Sequence, residues 1–344
     1  MTNHSILIRL DADQKTGLGH LYRSLSIADE LKKTNVNPVF IIGKSRTAEK
    51  EIKKHAFEYR ILENSISEEE KIRCAISDTD AKLLFIDKLY PYTAEFIGEL
   101  KKTLKTAMFH NVCEGTSRAD AFILPSAHSP QAVIDNYQKL KELHFYYGPQ
   151  YVVLNPAAIE MAEKARITPK RKNKICITTG GSDPEGLMIG ILNALNKYDF
   201  SNYEIKALIG SNFIHREALE KLLPKLQTSI KCIDFDINEF TNAGCALATF
   251  GVSTYELMHA GIPVLSTAHA EANATGSKNA EIRYHCLKDI GLFKNMTQKE
   301  FLSAFTTFIN DTELKIRIGK NAKALIDAKG AQRTAKILAE LAKQ

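Results

Sequence analysis

Three times along this chain an apolar run stops at a glycine-containing turn and a helical pattern takes over. The first is Ile6-Leu7-Ile8 with Leu10, then Gly17-Leu18-Gly19-His20 and a helix-like segment from Ser24 to Lys33. The second is Lys174-Ile175-Cys176-Ile177-Thr178, followed by Thr179-Gly180-Gly181-Ser182-Asp183-Pro184. The third is Ala246-Leu247-Ala248-Thr249-Phe250, followed by Gly251-Val252-Ser253-Thr254. A strand that feeds a helix through a tight turn cannot pair with its successor in a hairpin, so the pattern commits the chain to parallel sheets covered by helices.

Further apolar runs fit the same alternation. Residues 39–43, 59–62, 83–87, 106–110 and 121–124 read as strands of the first half, with 121–124 as its last. Helices are expected at 21–33, 48–55, 67–77 and 93–102. In the second half, strands are expected at 204–209, 230–235 and 263–267. Helices are expected at 185–197, 215–226, 255–260, 298–309, 312–326 and 331–343. A basic segment without apolar period, Ile167 to Lys174, separates the halves and contains Pro169. The organisation expected is α/β, with two Rossmann-like domains facing across a cleft. Residues 1–155 form the first, 156–173 a linker and 174–344 the second, the last helix being a candidate to return to the first domain.

With 344 residues the chain is long enough for two cores. Lysine and arginine total 46 against 40 aspartates and glutamates, an excess that suits an anionic small substrate and is too small and dispersed for nucleic acid. No apolar run reaches membrane-spanning length. The opening Met1-Thr2-Asn3-His4-Ser5 lacks the basic segment of a secretory signal. The six cysteines, at 74, 113, 176, 232, 245 and 286, form no Cys-x-x-Cys pair, and five sit in or beside apolar stretches. A cytoplasmic chain without disulfides or zinc is the expectation; nothing in the pattern speaks to oligomeric state.

Each turn has a functional and a plain reading. At Gly17-Leu18-Gly19-His20, glycines allow close approach of a ligand and a helix start favours negative charge, while a histidine is the side-chain type suited to act as a general base near neutral pH. The same residues also suit a tight connection with His20 at a helix start. Gly181 and Ser182, like Gly251, Ser253 and Thr254, offer N–H and O–H donors to a diphosphate, and equally serve as helix caps. Glu256 lies in the first turn of the following helix, where a carboxylate can accept both hydroxyls of a ribose or close a capping box. His269-Ala270-Glu271-Ala272-Asn273 reads as a polar loop beyond a strand end. No Walker lysine or Gly-x-Ser-x-Gly elbow is present, and Tyr22 interrupts a full Gly-x-Gly-x-x-Gly, so a dinucleotide cofactor is not favoured.

Taken together, these residues resemble the nucleotide-sugar hydrolases of pseudaminic acid biosynthesis, within the GT-B glycosyltransferase superfamily. The resemblance is carried by Asp11-Ala12-Asp13, Gly17-Leu18-Gly19-His20-Leu21-Tyr22-Arg23 and Tyr147-Gly148-Pro149-Gln150-Tyr151. It continues through Gly180-Gly181-Ser182-Asp183-Pro184, Ser253-Thr254-Tyr255-Glu256-Leu257 with Gly261-Ile262-Pro263, and residues 326–333. It implies hydrolysis of a UDP-linked amino deoxy sugar to UDP and free sugar, without metal or cofactor. The role of catalytic residue falls on His20. Gly17, Gly19, Arg23, Gly181, Ser182, Gly251, Ser253 and Thr254 line the substrate, Glu256 holds the ribose, and Glu271 and Asn273 lie near the sugar. Two segments depart from the family pattern. His110-Asn111-Val112 stands where paired aspartates are usual, and an alanine separates Glu271 from Asn273. The alternative is a glycosyltransferase with an acceptor hydroxyl in place of water; a non-catalytic nucleotide-sugar binder is a third reading.

Overall fold

The computed structural model describes residues 4–12, 18–62 and 66–344. It divides into two compact units. Unit 1 comprises Met1–Ser126, Gln131–Asn155 and Ala328–Gln344; unit 2 comprises Ala127–Pro130 and Pro156–Asp327.

Unit 1 runs β1 (His4–Leu10), α1 (Gly19–Lys32), β2 (Val36–Ile42), α2 (Arg46–Lys54), β3 (Glu58–Ile61), α3 (Glu68–Ser77), β4 (Ala81–Asp87) and α4 (Ala94–Leu100). It continues with β5 (Lys105–Phe109), β6 (Ala121–Leu124), α5 (Gln131–Gln138) and β7 (His144–Tyr147). Its seven strands lie parallel in the order β3-β2-β1-β4-β5-β6-β7. Ala121–Leu124 is therefore not the last strand. β7 follows it, and its sequence His-Phe-Tyr-Tyr is only half-buried, which hides it from a search for apolar runs.

Both faces of this sheet are covered, as parallel strands require. Ile6, Ile8 and Leu10 pack with Leu21, Leu25 and Ala28 of α1, while Leu7, Ile41, Leu84 and Ile86 pack on the other side with Ile72, Phe96 and Ile97. Fully burying such a side chain contributes about 1.5–3 kcal/mol. The last helix of the chain, α13 (Gly330–Leu341), belongs to this unit and adds Ala335, Leu338 and Leu341 to the α1 side of the core.

Unit 2 begins with α6 (Pro156–Ile167), within the stretch read above as a linker; its Ala158, Met161, Ala162 and Ala165 are buried. Then follow β8 (Arg171–Thr178), α7 (Leu187–Leu195), β9 (Glu204–Ile209), α8 (Arg216–Leu222), β10 (Ile230–Asp234) and β11 (Ala243–Thr249). The unit ends with α9 (Val252–His259), β12 (Val264–Ala268), α10 (Glu271–Tyr284), β13 (Lys288–Leu292), α11 (Gln298–Asn310) and α12 (Thr312–Leu325). Its strand order, β10-β9-β8-β11-β12-β13, is again all parallel. Each sheet thus reverses its strand order once, between β1 and β4 and between β8 and β11. Such reversals open a crevice beyond the carboxyl ends of the strands.

The segment expected as a polar loop at 269–273 is instead the entry to α10, with Glu271 as its first residue. Its Ala-Asn-Ala-Thr-Gly-Ser sequence is weakly amphipathic and buries small groups, Gly276 and Ser277, so no stripe of large apolar residues announces it.

The α13 start is pinned by backbone. A side-chain carbon at Gly330 would lie 2.1 Å from the Val152 carbonyl oxygen, and Arg333 donates to the Gln150 carbonyl at 2.9 Å. Because the opposing atom is main chain, Gly330→Ala is expected to lower stability by about 1–3 kcal/mol. A urea unfolding midpoint equal to that of the parent chain would show that α13 is not held in this way.

Candidate functional site

At the β1/β4 reversal, Asp87 closes an apolar strand and is completely buried. Its carboxylate accepts from Arg23 Nε at 2.8 Å and Ser24 Oγ at 3.0 Å, and Arg23 Nη2 also donates to Oδ1. His20 Nδ1 lies 2.8 Å from the same Oδ1 and 2.9 Å from the Asp87 carbonyl oxygen. Arg23 Nη2 also lies 3.0 Å from Nδ1, but the two acceptors of Asp87 are the nearer neighbours, an arrangement that favours Nδ1–H donating to Asp87 with the lone pair on Nε2. Nε2 has no partner among the described residues, and the His20 side chain remains 19% exposed. Helical spacing makes the arrangement possible: positions 20, 23 and 24 fall on one side of the first turns of α1. Burial alone would push the Asp87 carboxyl up; the charge and hydrogen bonds of Arg23, with those of His20, outweigh it and hold the group well below the usual carboxylate range.

A second charged cluster adjoins β1. Arg9, 1% exposed, makes a two-pronged pair with Glu68 at 2.7 and 2.8 Å and reaches Asp11 at 2.6 Å. Lys88 bridges Asp11 and Glu68 at 2.6 and 2.8 Å, and Tyr92 donates to Glu68 at 3.0 Å. Although burial opposes it, Arg9 and Lys88 bring Asp11 down to about 2. Asn111, one of the departures from the family pattern, donates to the carbonyls of Lys88 and Tyr90 at 2.9 and 2.8 Å. An ionised aspartate there has no proton to donate, so the asparagine fits the loop it holds.

In unit 2 the turns after β8 and β11 lie side by side at the other reversal. A side-chain carbon on Gly180, whose φ is +86°, would sit 3.8 Å from Thr249 Oγ1. Gly181 and Ser182 are exposed, but Ser182 is not at a helix start. The α7 helix begins only at Leu187, after Gly186 in the left-handed region, and Asp183 accepts from the Leu187 and Met188 amides at 2.9 and 2.8 Å. The donors expected at that helix start are therefore consumed by Asp183, which is 2% exposed.

Gly251 is the exposed N-cap of α9, with Ser253 half-buried behind it. Thr254 is fully buried; its hydroxyl accepts from Gly251 N at 3.3 Å and donates to the Thr249 carbonyl at 3.2 Å, so it shapes the turn from inside. Asn273 donates to the Phe250 carbonyl at 3.0 Å, which brings the α10 entry against this turn. Glu271, beside it, is exposed. Glu256 is 7% exposed, and its carboxyl has no hydrogen-bond partner among the described residues. Burial pushes it up to about 7.

The structure thus joins His20 to Arg23, and Asn273 to the Gly251–Thr254 turn. Gly19 is exposed at the first residue of α1, while Gly17 and Asp13 lie outside the described residues. The sequence places Asp87 at a strand end of the kind where ligands sit without giving it a role, and singles out nothing at Ser24. The available signal for Asp87 was a carboxylate closing the run Leu83-Leu84-Phe85-Ile86, a charged residue at the carboxyl end of a buried strand.

No protein-family model matches the chain. It is 26% identical over 270 residues to the uncharacterized protein MJ1062 of Methanocaldococcus jannaschii, covering 76% of this chain and 54% of that protein. It is 26% identical over 204 residues to the spore coat polysaccharide biosynthesis protein SpsG of Bacillus subtilis, covering 58% of this chain and 59% of that one. The matches therefore span little more than half the length of these curated relatives. Among solved structures, MurG of Acinetobacter baumannii superposes with a TM-score of 0.67 at 11% identity, over 98% of this chain and 99% of that one. The UDP-GlcNAc 2-epimerase of Neisseria meningitidis bound to UDP-GlcNAc superposes with a TM-score of 0.66 at 13% identity, over 98% and 100%. The chain has the GT-B glycosyltransferase-type fold, built from two parallel-sheet α/β domains. No described helix is long and apolar enough to cross a membrane.

The raised Glu256 carboxyl has a consequence for stability. A carboxyl moved from 4.5 to about 7 binds its proton more tightly in the folded chain. The stability it contributes is full below pH 4.5 and is lost as pH rises through 7, on the order of 3 kcal/mol at completion. Glu256→Gln is expected to flatten this dependence and to be more stable than the parent chain at pH 8. Parallel pH–stability curves in urea titrations would place Glu256 in a solvated setting instead.

Proposed function

We propose that the protein breaks the sugar–phosphate bond of a nucleotide-activated sugar, most plainly a UDP sugar, and serves polysaccharide biosynthesis. The observation that carries this reading is the His20–Asp87 pair at the β1/β4 reversal, with Nε2 of His20 left to take a proton. Asp87 fixes the tautomer and stabilises the imidazolium that forms, while Arg23 and Ser24 hold Asp87 in place. In the reaction the incoming hydroxyl gives its proton to Nε2 as its oxygen bonds to the anomeric carbon. The bond from that carbon to the diphosphate oxygen breaks, and its electron pair leaves with the nucleotide. The turn at the start of α9 is the binding place for the diphosphate through the Val252 and Ser253 amides, the Gly251 amide being held by Thr254, aided by Gly181 and Ser182 on the adjoining turn. Glu256 accepts the ribose hydroxyls; pairing there relieves a carboxyl that otherwise has no partner.

The incoming hydroxyl belongs to an acceptor, which makes the protein a glycosyltransferase. Support comes from the fold it shares with MurG and from the name of the SpsG relative. Hydrolysis of a UDP-linked amido deoxy sugar, with water as the incoming group, is the second reading. The ordered residue matches around His20, Gly180–Pro184 and Ser253–Leu257 favour it. Incubation with a panel of nucleotide sugars, with and without a cell-envelope acceptor fraction, separates the two. UDP and reducing sugar released without acceptor identify a hydrolase; UDP release that needs acceptor identifies a transferase.

His20→Asn is expected to cut turnover by about 10²–10⁴-fold while UDP affinity stays near that of the parent chain. Turnover at the parent rate would remove His20 from the chemistry. Glu256→Ala is expected to weaken UDP binding with little change in turnover at saturation. Equal affinities by calorimetry would take Glu256 out of the nucleotide site.

A further inference from the structure

The basic segment between the two sequence halves has no part in the chemistry above, yet the fold gives it a partner. Lys170 and Lys172 from that segment, with Arg166 near the end of α6, line one pocket together with Lys315, Lys320 and Lys323 of α12. The pocket encloses about 500 Å³ and carries no aspartate or glutamate in its lining. Gly244, Gly261 and Gly319 are also part of its lining. These glycines are enforced by close backbone approach: a side-chain carbon at Gly319 would lie 2.8 Å from the Gly261 carbonyl oxygen, and one at Gly244 2.7 Å from that of Arg171. The recess is thus built into the packing of α12 against the sheet.

Six cations converge here, and none makes an ion pair among the described residues. Elsewhere in the same unit the pattern is different: Lys174 and Lys206 share Glu239, and Lys288 pairs with Glu281. Lys170 and Lys315 reach only main-chain carbonyls, those of Gly261 and Ile309. Desolvation, and then repulsion from Lys323, push the Lys170 ammonium down from its ordinary value. Like charges held together around one recess cost free energy that an anion would return.

The location separates this pocket from the nucleotide site. Lys172 is near the start of β8, Gly244 is near the start of β11, and Pro263 directly precedes β12. The pocket therefore lies at the amino ends of these parallel strands, and the Gly180 and Gly251 turns lie at their carboxyl ends. We propose that this pocket is a binding site for a phosphate-bearing anion, distinct from the nucleotide site. Lysine ammonium groups are suited to phosphate as mobile point charges. Ile316, 67% exposed and part of the lining, gives the pocket an apolar residue able to meet a phospholipid surface.

The test uses the full chain and inorganic pyrophosphate as probe, by calorimetry. Three chains are compared: the parent, Lys315→Gln/Lys320→Gln/Lys323→Gln, and a control, Lys197→Gln/Lys299→Gln, altered on another lysine-bearing surface. The pocket variant is expected to lose affinity by about tenfold or more, and the control to match the parent. A second arm measures co-flotation with phosphatidylglycerol-containing and with pure phosphatidylcholine vesicles. Loss of about a hundredfold in binding to the anionic vesicles in the pocket variant would identify a lipid headgroup as the source of the phosphate. Pyrophosphate binding without vesicle binding would identify a soluble anion. Failure of the parent chain to bind either probe overturns the proposal, as does equal loss in the control variant or binding undiminished in the pocket variant. Since neither probe requires turnover, these results are independent of the fate of His20.

Discussion

A parallel strand cannot be joined to its neighbour by a tight turn; the chain must cross back over the sheet before it pairs again. Both sheets obey this constraint without exception among the described residues, and each changes winding direction once. The change forces two loops apart at the carboxyl ends of adjacent strands, β1 with β4 and β8 with β11. The residues best suited to chemistry sit there: His20 and Asp87 in one unit, the Gly180 and Gly251 turns in the other. Their position follows from topology before any side-chain chemistry is considered.

The two units treat a buried carboxylate in opposite ways. Asp87 is charged in the interior because Arg23, Ser24 and His20 supply donors and positive charge at short range. Its energy is already spent on holding an imidazole in one tautomer. Glu256 has been left without such partners, and burial drives it toward the neutral form. One carboxylate is fully engaged by neighbours in its own unit, whereas the other has no hydrogen-bond partner among the described residues.

Much of this was legible in the sequence, and the misses have physical causes. Parallel α/β organisation was readable because strands buried on both faces appear as continuous apolar runs such as Leu83-Leu84-Phe85-Ile86. Strand β7 was missed because it is half-buried and aromatic rather than aliphatic. Helix α10 was missed because it buries Gly276, Ser277 and Ala280, residues too small to mark a periodic stripe. Ser182 looked like a helix start because a Ser-Asp-Pro sequence normally is one. Here Gly186 in the left-handed region delays the helix, and Asp183 takes its first amides.

The sequence by itself determined the class of fold, the three glycine turns and the place of His20 directly after one of them, since these depend on local pattern and near neighbours in the chain. Only the tertiary structure decided which groups those residues meet. Asp87 lies 67 positions from His20, and Glu68 lies 59 from Arg9. The basic pocket gathers lysines from α12 and from a segment roughly 150 residues earlier, a separation that only α12 packing on the sheet closes. Charge, tautomer and the exposure of a carboxyl are properties of such long-range encounters, so no reading of neighbouring residues could have supplied them.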